Sequence, residues 1–189
     1  RARNPHYTKE EIEEHLCEYL GVEKVIWVKD GIDPDETNGH IDGVATYVAP
    51  GEVACIWTDD ESHPYYQVAR DAYETLSNAV DAKGRKLKIH KLCMGANPIA
   101  LDEEAAATID MVETAKERTT DYEVMGSYLN FLIVNGGVIV PQYDDPNDAL
   151  AIEQIQAMFP DREIVGVNTT QILYGGGNIH CITQQEPKA

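Results

Sequence analysis

The sequence predicts an α/β fold assembled from a repeated strand–strand–helix–strand unit, and three observations carry that expectation. Short apolar runs of strand length are each followed by a stretch with apolar residues at helical spacing. The order strand, strand, helix, strand occurs twice along the chain. A tight turn with a glycine, Gly51 in one copy and Gly136 in the other, joins the first two strands of each. At 189 residues and 43% hydrophobic, the chain can bury one sizeable core.

Taken in order, residues 1–30 read as the helix and last strand of an incomplete unit. Thr8-Lys-Glu-Glu11 is a capping-box pattern that opens a helix to about Tyr19, and Gly21 ends it. Lys24–Val28 reads as the strand. The hairpin of that unit would precede Arg1, so the chain is expected to begin partway through a longer fold. The first complete unit covers 40–93. His40–Tyr47 and Val53–Trp57 are its hairpin, with Ala49-Pro-Gly-Glu as the turn. Tyr65–Ala79 is its helix, with Ser62 as the expected cap and Pro64 in the first turn. Leu87–Leu92 is its closing strand. An acidic insertion follows from about Gly95 to Val124. The second unit covers 126–168. Tyr128–Val134 and Val138–Val140 flank Asn135-Gly-Gly. Asp145 and Pro146 open a helix over Ala149–Phe159, and Glu163–Val167 closes the unit. Within 174–189, Gly177–Thr183 reads as a lone strand with no partner in its own unit.

The formal charge is −18, from 33 acidic against 15 basic residues. A surplus of that size argues against nucleic acid or an anionic membrane surface as the partner and is compatible with a cationic ligand. It also serves solubility alone. No run is apolar over a membrane-spanning length, and the first residues carry no signal-peptide pattern, so the expected location is the cytoplasm. Asn168-Thr-Thr matches a glycosylation acceptor by chance on that reading. The four cysteines form no CxxC pair and no zinc-type spacing with histidine, so free thiols and no metal or cofactor are expected.

Two constellations carry candidate chemistry. Cys181 follows three glycines, Gly175 to Gly177, where the backbone can take conformations and approaches closed to other residues. Strand alternation would put Ile179 and Cys181 on one face, and Asn178, His180 and Ile182 on the other. Cys17, Cys55 and Cys93 sit in apolar patterns and read as structural. The second constellation is Asp35-Glu-Thr-Asn-Gly-His-Ile-Asp42. In an extended chain His40 and Asp42 share a face, which suits general acid/base work beside recognition of a cation. The same residues equally describe a solvated strand end. The remaining histidines read as structural or solvated.

Together, Arg3-Asn-Pro-His6, the Asp35–Asp42 segment, Trp57-Thr-Asp-Asp-Glu61, Asn135-Gly-Gly-Val-Ile-Val-Pro141 and Gly176-Gly-Asn-Ile-His-Cys-Ile-Thr-Gln-Gln185 resemble the agmatine deiminase family of the guanidine-modifying, or pentein, superfamily. The match runs in order through nearly the whole chain, as the C-terminal half of the family sequence. The resemblance implies a propeller of five strand–strand–helix–strand units, of which this chain supplies about half. It implies hydrolysis of agmatine to N-carbamoylputrescine and ammonia, a step toward polyamines. Cys181 would be the nucleophile, His40 the proton carrier and Asp42 the carboxylate on the guanidinium. Glu36 and Asn178 would assist in substrate binding. The family's other substrate acids lie upstream of Arg1, so the span alone is expected to lack deiminase activity. The missing N-terminal half or a second copy would be its partner. Gly43 departs from the Asn of many relatives. A related deiminase for arginine or peptidyl-arginine, or an amidinotransferase, is the neighbouring enzymatic reading, and a non-catalytic binding or assembly module is the reading from another class.

Overall fold

The computed structural model describes residues 4–32, 39–108 and 119–187. Helix α1 (Lys9–Leu20) begins at a reciprocal cap: Thr8 Oγ1 accepts the Glu11 N–H at 3.2 Å, and Glu11 Oε2 accepts the Thr8 N–H at 2.7 Å. Gly21, at φ 65°, ends it in the left-handed region. Lys24–Val28 is not a strand, contrary to expectation. A β-ladder needs a neighbour, and among the described residues none lies alongside. The segment is held as a strap instead. Ile26 and Val28 pack on the core, Lys24 Nζ donates to the Val80 carbonyl at 2.7 Å, and Lys29 pairs with Asp71.

The first unit consists of β1 (Ala45–Ala49), β2 (Glu52–Trp57), α2 (Tyr66–Asn78) and β3 (Lys88–Cys93). β1 and β2 are antiparallel, β2 and β3 parallel, and β2 lies in the middle. Val53, Ala54, Cys55 and Ile56 on β2 are buried in succession, so both faces of this strand are covered. Ala69, Ala72 and Leu76 form the buried stripe of α2. Ser62 does not cap this helix. Its N–H and hydroxyl both donate to Asp60 Oδ1, and the Tyr65 N–H goes to His63 Nδ1. The insertion forms a two-stranded ladder of β4 (Ile99–Ala100) and β5 (Glu123–Val124), with α3 (Glu103–Thr108) between them. Asp145 clamps its base by accepting the Ala96 and Asn97 N–H groups.

The second unit repeats the order with β6 (Leu132–Val134), β7 (Gly137–Gln142), α4 (Asp148–Met158) and β8 (Glu163–Asn168), and β7 is central. The Asp148 carboxylate accepts the Tyr143 and Asp145 N–H groups ahead of the helix. Tyr128–Phe131, expected as strand, is a buried turn-containing segment in which the Asn130 N–H donates to the Ser127 carbonyl. Ile56 and Leu92 of the first unit, Met94 just after it, and Tyr128, Val138, Val140 and Ile155 of the second belong to one continuous core. Helix α5 (Thr170–Leu173) follows β8.

Two further strand expectations fail, and both failures shape the site. Residues 40–43 do not enter a strand: Ile41–Gly43 is a 3₁₀ turn, closed by Val44 N–H donating to the Ile41 carbonyl at 2.9 Å. Gly177–Thr183 is not a closing strand. Ile182 N–H donates to the Asn178 carbonyl and Thr183 N–H to the His180 carbonyl, both at 3.2 Å, which makes a helical turn. Asn130 takes the N–H groups of His180 and Cys181 that a ladder would have used.

Candidate active site

Three non-strand segments meet at one point: the 3₁₀ turn after His40, the buried segment 127–131 and the glycine-rich turn 174–183. Ser127 Oγ donates to the Gly43 carbonyl at 2.8 Å and so ties the first two together. Asn130 ties the second to the third. Its Oδ1 accepts the N–H groups of His180 at 3.0 Å and Cys181 at 3.4 Å, and its Nδ2 donates to Asp42 Oδ2 at 3.0 Å and to Cys181 Sγ at 3.4 Å. The Cys181 thiol itself donates to Asp42 Oδ2 at 3.2 Å. Glycine is required beneath it, because a Cβ on Gly177 would lie 2.9 Å from Cys181 Cβ and 3.2 Å from its sulfur.

Cys181 and Asp42 are therefore brought together. His40 faces the same cavity. Asn178 is nearly fully buried, with its Nδ2 donating to the Tyr143 hydroxyl at 3.1 Å and its Oδ1 accepting the Ile179 N–H. That places its side chain in the floor of the site, engaged with protein on both ends. Glu36 lies outside the described residues. His180, expected to face away from Cys181, does the opposite: the helical turn carries both toward Asp42, with His180 Nδ1 at 3.3 Å from Oδ2.

The cavity around these groups has about 700 Å³ of space, counting the part open to solvent. Ile32, Tyr65, Tyr122, Met125 and Leu173 give it largely apolar walls, and no lysine or arginine is among the described residues that line it. Tyr122 and Val124 come from the acidic insertion, which is thus a wall of the cavity. Although Cys181 is exposed, partial desolvation of its sulfur by its neighbours raises its affinity for the proton. Hydrogen bonds from the Asn178 backbone and the Asn130 side chain oppose that, while Asp42 adds to it. Burial alone pushes Cys55 up to about 12, and with help from Asp145 it pushes Cys93 to about 12. Among the described residues no group of three His, Cys, Asp or Glu is placed to hold a metal ion. No helix among them is long and apolar enough to cross a membrane.

Asn130, Tyr122, Tyr143 and His180 are the site residues that sequence reasoning did not reach. For Asn130 a signal existed, as the single amide in the apolar run Tyr-Leu-Asn-Phe-Leu-Ile-Val.

Residues 1–187 match the Porphyromonas-type peptidyl-arginine deiminase family. A Streptococcus mutans relative is 62% identical over 186 residues, 98% of this chain and 50% of its own length. The agmatine deiminase of Pseudomonas fluorescens is 49% identical over 185 residues, again 98% of this chain and 50% of that protein. A solved structure described as the agmatine deiminase of Enterococcus faecalis catalysing its reaction superposes with a TM-score of 0.92 at 57% identity, over 98% of this chain and 50% of that one. The chain spans about half the length of the relatives it matches.

Proposed function

Because the chain belongs to the Porphyromonas-type peptidyl-arginine deiminase family, we propose that it forms the cysteine-bearing part of an agmatine deiminase, which hydrolyses the guanidinium group to a urea and ammonia. One observation carries this reading: a thiol, Cys181, and a carboxylate, Asp42, share a hydrogen bond at the wall of an apolar cavity without a lysine or arginine among its described lining residues. An alkyl guanidine fits that lining. Free arginine would bring a carboxylate with no described cation to meet it. The names of the relatives from Pseudomonas fluorescens and Enterococcus faecalis support the same substrate.

In this reading Asp42 accepts paired hydrogen bonds from two guanidinium nitrogens. The arriving positive charge offsets the pull of Asp42 on the thiol proton, so binding itself favours thiolate. Cys181 then passes its proton to His40 and attacks the guanidinium carbon, and the C–N bond to the leaving nitrogen breaks as His40 delivers that proton to it, releasing ammonia. His40 next takes a proton from water. The hydroxide adds to the amidino-thioether carbon, the C–S bond breaks, and N-carbamoylputrescine leaves with the cysteine restored. Agmatine and water supply every atom of the products. The product lies on the route to putrescine, and a cytoplasmic protein suits that role. The acids that the family resemblance places outside this span complete the guanidinium cage. Turnover is therefore expected of the polypeptide at its relatives' length, and guanidinium binding of the span alone.

The test is ammonia release from agmatine, arginine and a peptidyl-arginine amide by the protein at that length, with Cys181→Ser and Asp42→Asn. Agmatine should be preferred, and a covalent amidino adduct should appear by intact mass with the wild type alone. Turnover by Cys181→Ser would remove the nucleophile assignment, and a preference for either arginine substrate would replace the substrate.

A further inference from the structure

Asp42 Oδ2 accepts from three directions. Asn130 Nδ2 lies 3.0 Å away, Cys181 Sγ 3.2 Å and His180 Nδ1 3.3 Å. The His180 N–H donates to Asn130, both to its carbonyl oxygen at 3.2 Å and to its Oδ1 at 3.0 Å. The ring is thus carried by backbone fixed to the same asparagine that holds the carboxylate. It is also half-exposed, and nothing in the proposed reaction uses it. We propose that His180 is a positioning residue that shares Asp42 Oδ2 with the thiol and so eases the ionisation of Cys181. This rests on Cys181 being the reacting thiol.

The reasoning is electrostatic. While sulfur keeps its proton, the S–H donates to Oδ2 and the carboxylate holds the proton in place. Once the proton leaves, a thiolate and a carboxylate stand side by side, and like charges at that distance disfavour the ionised form. An N–H aimed at Oδ2 withdraws negative charge from that oxygen, and its effect is larger for the thiolate state than for the thiol. Among the described residues, the titratable groups around this point are Asp42 in the 3₁₀ turn, His40 just before it, Tyr65 ahead of α2, Tyr122 from the insertion, Tyr143 after β7, and His180 with Cys181 from the glycine-rich turn. His180 and Cys181 both hydrogen-bond to the Asp42 carboxylate.

The test is the pH profile of Cys181 alkylation by iodoacetamide, resolved by peptide mass, and it needs neither guanidinium nor turnover. His180→Ala should move the midpoint up by about half a unit, which slows alkylation about threefold at a pH below the midpoint. His180→Asn keeps an N–H where Nδ1 was and should restore the wild-type midpoint. His180→Gln, whose amide mimics the far ring nitrogen, should not. Asp42→Asn should lower the midpoint. In that background His180→Ala should add no further shift, because its route to the sulfur is gone. An unshifted midpoint in His180→Ala, or a shift equally large without Asp42, overturns the proposal. If His180→Ala fails to fold by circular dichroism, the Asn and Gln pair decides on the same criterion. Failure of agmatine turnover would count against the proposed function and leave this cycle standing.

Discussion

Cys55 and Cys181 share a side chain and little else. Cys55 is wholly enclosed on β2, whereas Cys181 is exposed at a turn with an amide donor and a carboxylate against its sulfur. Iodoacetamide at pH 8 should therefore label Cys181 in the folded protein and leave Cys55 and Cys93 untouched until urea unfolds it, as peptide mass analysis will show. Asn130 is the residue on which this contrast depends. Replacing it with alanine leaves Asp42, His180 N–H and Cys181 N–H without a shared partner, so we expect a loss of about 1–3 kcal/mol in urea unfolding. Cys181 alkylation should also change its pH profile in that variant. Cys181 stands out in the sequence because three glycines precede it. The expected orientation of His180 fails because alternation holds only in a strand, and this segment forms a helical turn. Asn130 is conspicuous as a lone amide among apolar residues, but its partners lie 51 and 88 positions away.

The hairpins are legible in the sequence at the level of elements because their turns are local chemistry. Gly136 sits at φ 82° with open space where a side-chain methyl would go, so Gly136→Ala should cost about 1 kcal/mol from backbone strain. Gly126 is not legible in that way. A Cβ there would lie 2.5 Å from the Tyr143 ring, whose hydroxyl donates to the Ser127 carbonyl and receives from Asn178. That ring cannot retreat without dragging the floor of the site, so Gly126→Ala should cost more, about 2–3 kcal/mol, by the same urea midpoints. Equal costs for the two glycines would show that the ring gives way. The same distinction explains Lys24–Val28, where β-branched residues promise a strand and pairing is absent among the described residues. Composition reports what a segment can do, whereas a ladder is a property of two segments.

For the molecule as a whole, the repeated order of elements is readable because each unit closes within about 50 residues, while the meeting of three turns at Asp42 is not, since it depends on how the units pack. Net charge is the one global property that the sequence states outright, and it makes a prediction with two opposite signs. With 33 acidic and 15 basic side chains, the folded state concentrates negative charge, and self-repulsion weakens it. Added salt screens that repulsion, so the urea midpoint at pH 7 should rise between low and moderate sodium chloride. On the proposed function, the same field would draw the agmatine cation toward the cavity, and screening would remove that attraction. Protection of Cys181 from alkylation by agmatine should accordingly require more ligand, about two- to fivefold, over the same salt range, where the screening length falls from about 30 Å to below 10 Å. Stability and cation binding should thus move apart as salt increases. If both weaken together, the surplus carboxylates are not a long-range field, and recognition at this site rests on Asp42 and its immediate neighbours alone.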